Sequence, residues 1–416
     1  MSRVFFIGGS KIAKDNNGVF FMPINFDEII ERRTSNSMKW TQYPADVIPF
    51  WVADMDFRTP QPILDTLQDA LQQGVIGYEF LRRHLQEIVA ARMERLYGWQ
   101  VDPDWIIATP GVVSGFNVAA RAVCSPGDGV LIQPPVYMMF YGIYKNIGLT
   151  QQVAPIHFTE KEYILYPQLD LDTFSAAFHT NNARTRMFLL CHPHNPTGQA
   201  FTRAELKSMA DICLPNETII VSDEIHSELI IDGPKHIPMA TLSPEIANKT
   251  ITLIAGSKTF NTAGLFCAFA IIPNADLREK FKVANEQITG HVSSLGLTAA
   301  EAAFSGACDD WLVELLPYLK SNRDFMAEYL TENFPGLRFT IPSATYLAWL
   351  DFSEYVTSGN IQGSPFEFFL KEAKVALTDG KPFGDGCENF VRLNFACPRS
   401  MLEDGLERMR SAVYKS

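Results

Sequence analysis

MFLLCHPHNPTG, residues 187–198, is an unbroken apolar run that ends in a tight, proline-rich turn. No polar residue alternates within Met187–Cys191, the pattern of a strand covered on both faces. Two prolines and a glycine then force the chain into a rigid turn. The same arrangement recurs at TIIVSDEIH (218–226) and ITLIAGSKTF (251–260), and further apolar runs lie at Val130–Gln133 and Ala268–Ile272. Helical patterns separate these runs, for example Arg203–Cys213, opened by Thr202. Strand–helix–strand repetition predicts an α/β fold with right-handed crossovers and a mostly parallel sheet covered by helices. Ligands bind such sheets at the carboxyl ends of the strands. That places Asn195, Asp223 and Lys258, each just past a run, where function is expected.

Working outward, Asn25 is a candidate cap for a helix that begins with Phe26, and residues 1–22 read as an extension before it. Toward the C-terminus, Glu301–Thr331 reads as mostly helical, TYLAWLDF (345–352) and FVRLNF (390–395) as strands, and Met401–Tyr414 as a closing helix. The expected division is therefore an N-terminal segment at 23–62, a large domain at 63–300, and a smaller α+β domain at 301–416, completed by the N-terminal segment.

Of 416 residues, 47% are hydrophobic and 20% charged, enough for a large core. The formal net charge of -12 repels phosphate backbones and anionic lipid, so nucleic-acid and membrane partners are not expected. The seven cysteines are odd in number, scattered, and without a Cys-x-x-Cys pair. This points to reduced thiols in a cytoplasmic protein.

Four segments carry chemistry. Thr109-Pro110-Gly111-Val112-Val113 precedes a helical pattern, and a glycine turn at a helix start offers free N–H groups to phosphate; a plain turn before a core helix is the equal alternative. Cys191-His192-Pro193-His194 suggests metal, but Pro193 sends the side chains apart and no further ligand pair has zinc-site spacing, so Asn195 is the better ligand contact and no metal is expected. Asp223-Glu224-Ile225-His226 could be metal ligands or a general-base pair, but taken alone it reads rather as a helix start with favourable charges. Lys258 sits among small residues at a strand tip, where desolvation makes an amine nucleophilic.

Taken together, Asn195, Asp223 and Lys258 in this order resemble the pyridoxal-phosphate-dependent fold-type I family, the aminotransferase class I/II superfamily. The resemblance runs from about Ile24 to the C-terminus. WVADMDF (51–57), TPGVV (109–113), QPPVY (133–137), PHNPTG (193–198), SDEIH (222–226), SKTFNTAGL (257–265) and RLNFACPRS (392–400) are similar to the MalY/PatB-like cystathionine β-lyase branch.

That resemblance implies pyridoxal 5'-phosphate held by Lys258 as a Schiff base. It implies that Asp223 pairs with the ring nitrogen, that Asn195 and His226 reach the phenolic oxygen, and that Tyr137 stacks on the ring. The phosphate would lie on Gly111, Val112, Val113 and Ser257. Many relatives place an arginine where this chain has Phe266. Arg392 would fork onto the substrate α-carboxylate, with the Ala53–Asp54 backbone closing over it. Tyr78 would reach the phosphate of a partner subunit, which implies a homodimer with shared sites. The implied reaction is α,β-elimination from an S-substituted cysteine such as cystathionine, with an aminotransferase as the alternative and a regulatory binder as a third reading.

Overall fold

Seven strands form the central sheet: β1 (Ile106–Thr109), β2 (Gly129–Ile132), β3 (Thr150–Val153), β4 (Thr185–Cys191), β5 (Ile219–Asp223), β6 (Thr250–Ile254) and β7 (Ala268–Ile271). Their spatial order is β1-β7-β6-β5-β4-β2-β3. Only β7 runs against its neighbours; the other pairings are parallel. The expected mostly parallel sheet is therefore present. β6 is buried at every position, as its lack of alternation requires. The helices Val112–Val123 and Ala275–Ile288 pack on one face, and Leu171–Ala177 and Arg203–Cys213 on the other. Thr202 opens the last of these through a capping box with Glu205.

A second sheet runs in the order Thr378–Asp379, Phe390–Asn394, Leu347–Asp351, Arg338–Phe339, Ile164–Gln168, His157–Lys161. Its last two strands are a hairpin that leaves the central sheet between β3 and β4 and joins C-terminal strands through Ile164 and Phe339. Ile48–Pro49 pairs in parallel with Val375–Ala376, so the N-terminal segment is fastened to the C-terminal one. The helix Arg399–Tyr414 closes the chain.

This computed structural model describes residues 24–414. Of the expected extension it describes Arg3–Ile7, Ser10–Lys14 and Phe20–Phe21, paired as an antiparallel sheet, and the rest of 1–22 lies outside the described residues. One expectation is corrected. No helix starts at Asn25: its carboxamide accepts from the Asp27 N–H at 3.1 Å, but the chain then turns out because Phe26 is drawn into a cluster with Phe57, Trp311 and Tyr318. The stretch expected to be mostly helical, 301–331, is so: it is spanned by two helices, Ser294–Ser305 and Asp309–Asn333, separated at Gly306, whose φ of 100° ends the first.

Candidate active site

The tips of β4, β5 and β6 are laced together. The His192 N–H donates to the Asp223 carbonyl at 2.9 Å, and the Glu224 N–H to the Leu253 carbonyl at 2.8 Å. Asp223 is buried, and among the described residues its carboxylate accepts one hydrogen bond, from the Ile225 N–H at 3.2 Å. Burial pushes its pKa up to about 7, against the pull of Lys258. The segment after Asp223 is a turn, so the reading of this stretch as a helix start is not what the chain adopts. Lys258 is held in the short helix Gly256–Thr259. Burial lowers its amine to about 8, with Asp54 and Asp223 opposing and Arg392 adding to the drop.

Arg392 reaches the same recess from the second sheet. Its guanidinium donates to Asn195 Oδ1 at 2.9 Å, to the Trp51 carbonyl at 3.1 Å and to Thr378 Oγ1 at 3.2 Å. The planar group lies over Phe383, 5.2 Å from the ring centre. Burial lowers its pKa to about 10. Its contacts are to neutral groups, so a buried cation stands without an anion beside it. Tyr137 is close enough to feel that charge, while burial raises its phenol.

The WVADMDF loop forms the floor. The Lys258 amine donates to the Ala53 carbonyl at 2.7 Å. Asn394 donates to the carbonyls of Val52 and Asp54, both at 2.7 Å, and Asn261 grips Met55 and Phe57. Behind the loop, buried Asp56 receives Arg32, Lys39 and Trp40, each at 2.7 Å. Arg32 also reaches Asp54 at 2.8 Å. A buried charge cluster of this kind fixes geometry more than it adds stability.

Gly111 adopts φ 94°, a conformation open to glycine, and no side chain caps the helix Val112–Val123 that follows. Its first N–H groups are therefore available to an anion. Phe266 lies 3.9 Å from the position a Gly111 Cβ would take. Ser257 is half-buried beside Lys258. Tyr78 is set apart: it is 89% exposed, and its ring rests on His291 at 5.4 Å. Gly198, at φ 71°, lets the turn after β4 touch Pro342; a Cβ there would sit 2.2 Å from the proline.

The two histidines of the Cys-His-x-His string diverge. His192 stacks on His236 with 4.4 Å between ring centres, while His194 bonds Thr197 at 2.9 Å. His226 is buried and held neutral, its pKa lowered to about 3 by burial and by Lys258 and Arg392. Sequence reasoning missed Tyr346, Asn394, Asn261 and Thr378, and the Arg32–Lys39–Asp56 cluster. Asn394 and Asn261 lie inside quoted strings without a role; Tyr346 had no local signal at all, since TYLAWLDF reads as plain core.

The recess fits the expected cofactor. Asp223 has spare acceptor capacity and no donor but one backbone N–H. Among the described residues, the buried Nδ1 of His226 and Nε of Arg392 have no partner. These are groups that a ring with polar edges and a carboxylate substrate would satisfy.

The chain matches the family described as aminotransferase class I and II over residues 45–409. It is 36% identical to cystathionine beta-lyase PatB of Bacillus subtilis (strain 168), covering 94% of this chain and 100% of that protein. It is 34% identical to a cystathionine beta-lyase of Corynebacterium glutamicum, over 94% of this chain and 100% of the other. Among solved structures, the PLP-bound C-S lyase from Staphylococcus hominis superposes with a TM-score of 0.86 at 31% identity, covering 94% of this chain and 98% of that one.

Proposed function

The chain belongs to the aminotransferase class I and II family, and from that premise we infer that it is a pyridoxal-phosphate-dependent carbon–sulfur β-lyase acting on an amino acid. The observation that carries the site assignment is convergence: Lys258, Asp223 and Asn195 from the central sheet and Arg392 from the second sheet meet at one recess.

Lys258 would hold the cofactor covalently, Asp223 would offer its carboxylate to the ring's protonated nitrogen, and Asn195 and His226 would offer donors to its oxygen. Tyr137 would pack against the ring. Gly111, Val112, Val113 and Ser257 would receive its phosphate. When bound, the cofactor supplies an electron sink for the pair left on the substrate's α-carbon. Arg392 binds the α-carboxylate, and its lack of an anionic partner leaves it free to do so. The Ala53–Asp54 backbone closes the other side of that carboxylate. Once free, the Lys258 amine takes the α-proton, and its lowered pKa of about 8 suits a base at neutral pH. The same amine returns a proton to the departing sulfur. The balance is S-substituted cysteine plus water giving thiol, pyruvate and ammonia.

The exposed run Val75, Ile76, Tyr78 and Phe80 supports a homodimer in which this strip is covered and Tyr78 reaches the neighbouring phosphate site. The seven free cysteines support a cytoplasmic setting. Among the described residues, no helix is long and apolar enough to cross a membrane.

The deciding experiment is an absorbance spectrum of the purified protein followed by titration with cystathionine, with pyruvate and thiol measured together. Both products in equal amounts, with no 2-oxo acid added, are expected. A demand for a 2-oxo acid with no thiol released would make it an aminotransferase.

A further inference from the structure

Tyr346 is fully buried at the edge of the recess, and the mechanism above gives it no part. Its ring stands edge-on to His226, 5.9 Å between centres. Its hydroxyl donates to the Ala53 carbonyl at 2.9 Å. The same oxygen receives the Lys258 amine at 2.7 Å. Two donors on different domains thus share one acceptor.

The backbone is bent to bring this about. Thr345, the residue before, has φ 68°. That region is unfavourable for a β-branched side chain and persists only where the surroundings enforce it. They do so here: the Thr345 N–H donates to the Leu229 carbonyl at 2.8 Å, the Leu347 N–H to Thr345 Oγ1 at 3.2 Å, and Ala344 bridges Ile230. Strain next to a buried hydroxyl that meets the reactive lysine's acceptor marks a functional constraint.

We propose that Tyr346 is a positioning residue for Lys258, acting through the Ala53 carbonyl that both groups share. A carbonyl oxygen has two lone pairs. The hydroxyl occupies one and holds the peptide in place, so the amine meets a fixed acceptor of reduced strength. Without the hydroxyl, the carbonyl would give all its acceptor strength to the ammonium form. The amine would then hold its proton more tightly and act less readily as a base. The charged groups felt at this point are Asp54, Asp223 and Arg392, and none of them is altered by the substitution below.

This inference rests on Lys258 being the cofactor lysine. The test begins with cofactor-free protein. The rate of Lys258 acetylation by acetic anhydride is followed against pH, with mass spectrometry of the peptide that carries it, in wild type and in Tyr346→Phe. The midpoint is expected to rise by about one pH unit in the variant. With cofactor restored, kcat on cystathionine at neutral pH should fall about tenfold while KM stays within about twofold. An unmoved midpoint overturns the proposal. So does a loss confined to KM, which would place Tyr346 in service of the substrate carboxylate. If the phenylalanine variant does not fold, 3-fluorotyrosine at position 346 keeps the shape and sharpens the donor. The midpoint must then fall, and no movement sinks the idea. The assignment of Lys258 is tested separately by borohydride reduction of the loaded wild type and peptide mapping. A reduced adduct on another lysine would overturn that assignment and leave the acetylation midpoints interpretable by themselves.

Discussion

The two ends of the recess are built in opposite ways. At the cofactor end, Asn195, Asp223 and Lys258 follow adjacent strands of one sheet, and each is placed by the few residues around it. At the substrate end, the loop at 51–57 is held by Asn261, Tyr346, Thr378, Arg392 and Asn394, all distant along the chain. The first end is a consequence of sheet topology, with Lys258 and Asn195 tied across to Ala53 and Arg392. The second is an assembly, and its stiffness comes from a buried charge cluster behind it. The contrast teaches that the residues proposed to hold the cofactor sit on the rigid sheet, while those proposed to orient the substrate depend on long-range contacts.

This contrast can be broken at either end. Lys258→Ala should have the largest effect, a fall in pyruvate release of at least about 10³-fold, with the fold unchanged by circular dichroism. Release at the wild-type rate would remove the cofactor end from the chemistry. Next is Asp56→Asn, which removes the nearer of the two carboxylates of buried Lys39 and leaves it Asp54 at 3.5 Å. Denaturant unfolding should show a loss of about 3–5 kcal/mol, while the visible spectrum of the loaded protein stays as it was. A changed spectrum at unchanged stability would mean that the two ends are not separate. Arg392→Lys keeps the charge but loses the fork. A fall of about 10- to 100-fold in kcat/KM is expected, read from initial rates on cystathionine, with the cofactor still retained on gel filtration.

The smallest effect sharpens the cofactor end by pH. The free amine at 258 has a pKa lowered to about 8, and it is reactive only when neutral. Uptake of pyridoxal phosphate by the cofactor-free protein should therefore be about tenfold slower at pH 7 than at pH 9, levelling off above the amine's pKa. Stopped-flow absorbance measures this directly. A flat profile would mean that burial does not set the amine's protonation.

The same contrast explains what could be read from the chain. Unalternating strands end in short polar strings, so the parallel sheet and the places of Asn195, Asp223 and Lys258 at its strand tips were legible from local pattern, while the roles proposed for them came from the resemblance. Arg392 was legible only through resemblance, since a strand arginine is ordinarily a surface charge. Tyr346 was not legible. Its role depends on a carbonyl far away in sequence and on the positive φ at Thr345, which nothing in TYLAWLDF announces. The helix expected after Asn25 failed for a related reason: Phe26 gains more from the cluster around Trp311 than a local turn could offer. The hairpin at 157–168 lies within a stretch otherwise given to the central sheet, and its partner strand at 338–339 is too short to stand out.

That hairpin has a consequence for synthesis on the ribosome. It emerges long before Arg338–Phe339, and Ile48–Pro49 waits still longer for Val375–Ala376. At about 5–20 residues per second, these edges stay unpaired for on the order of tens of seconds. The growing polypeptide therefore carries open strand edges through most of its translation, and these are the surfaces that a ribosome-bound chaperone would be expected to shield.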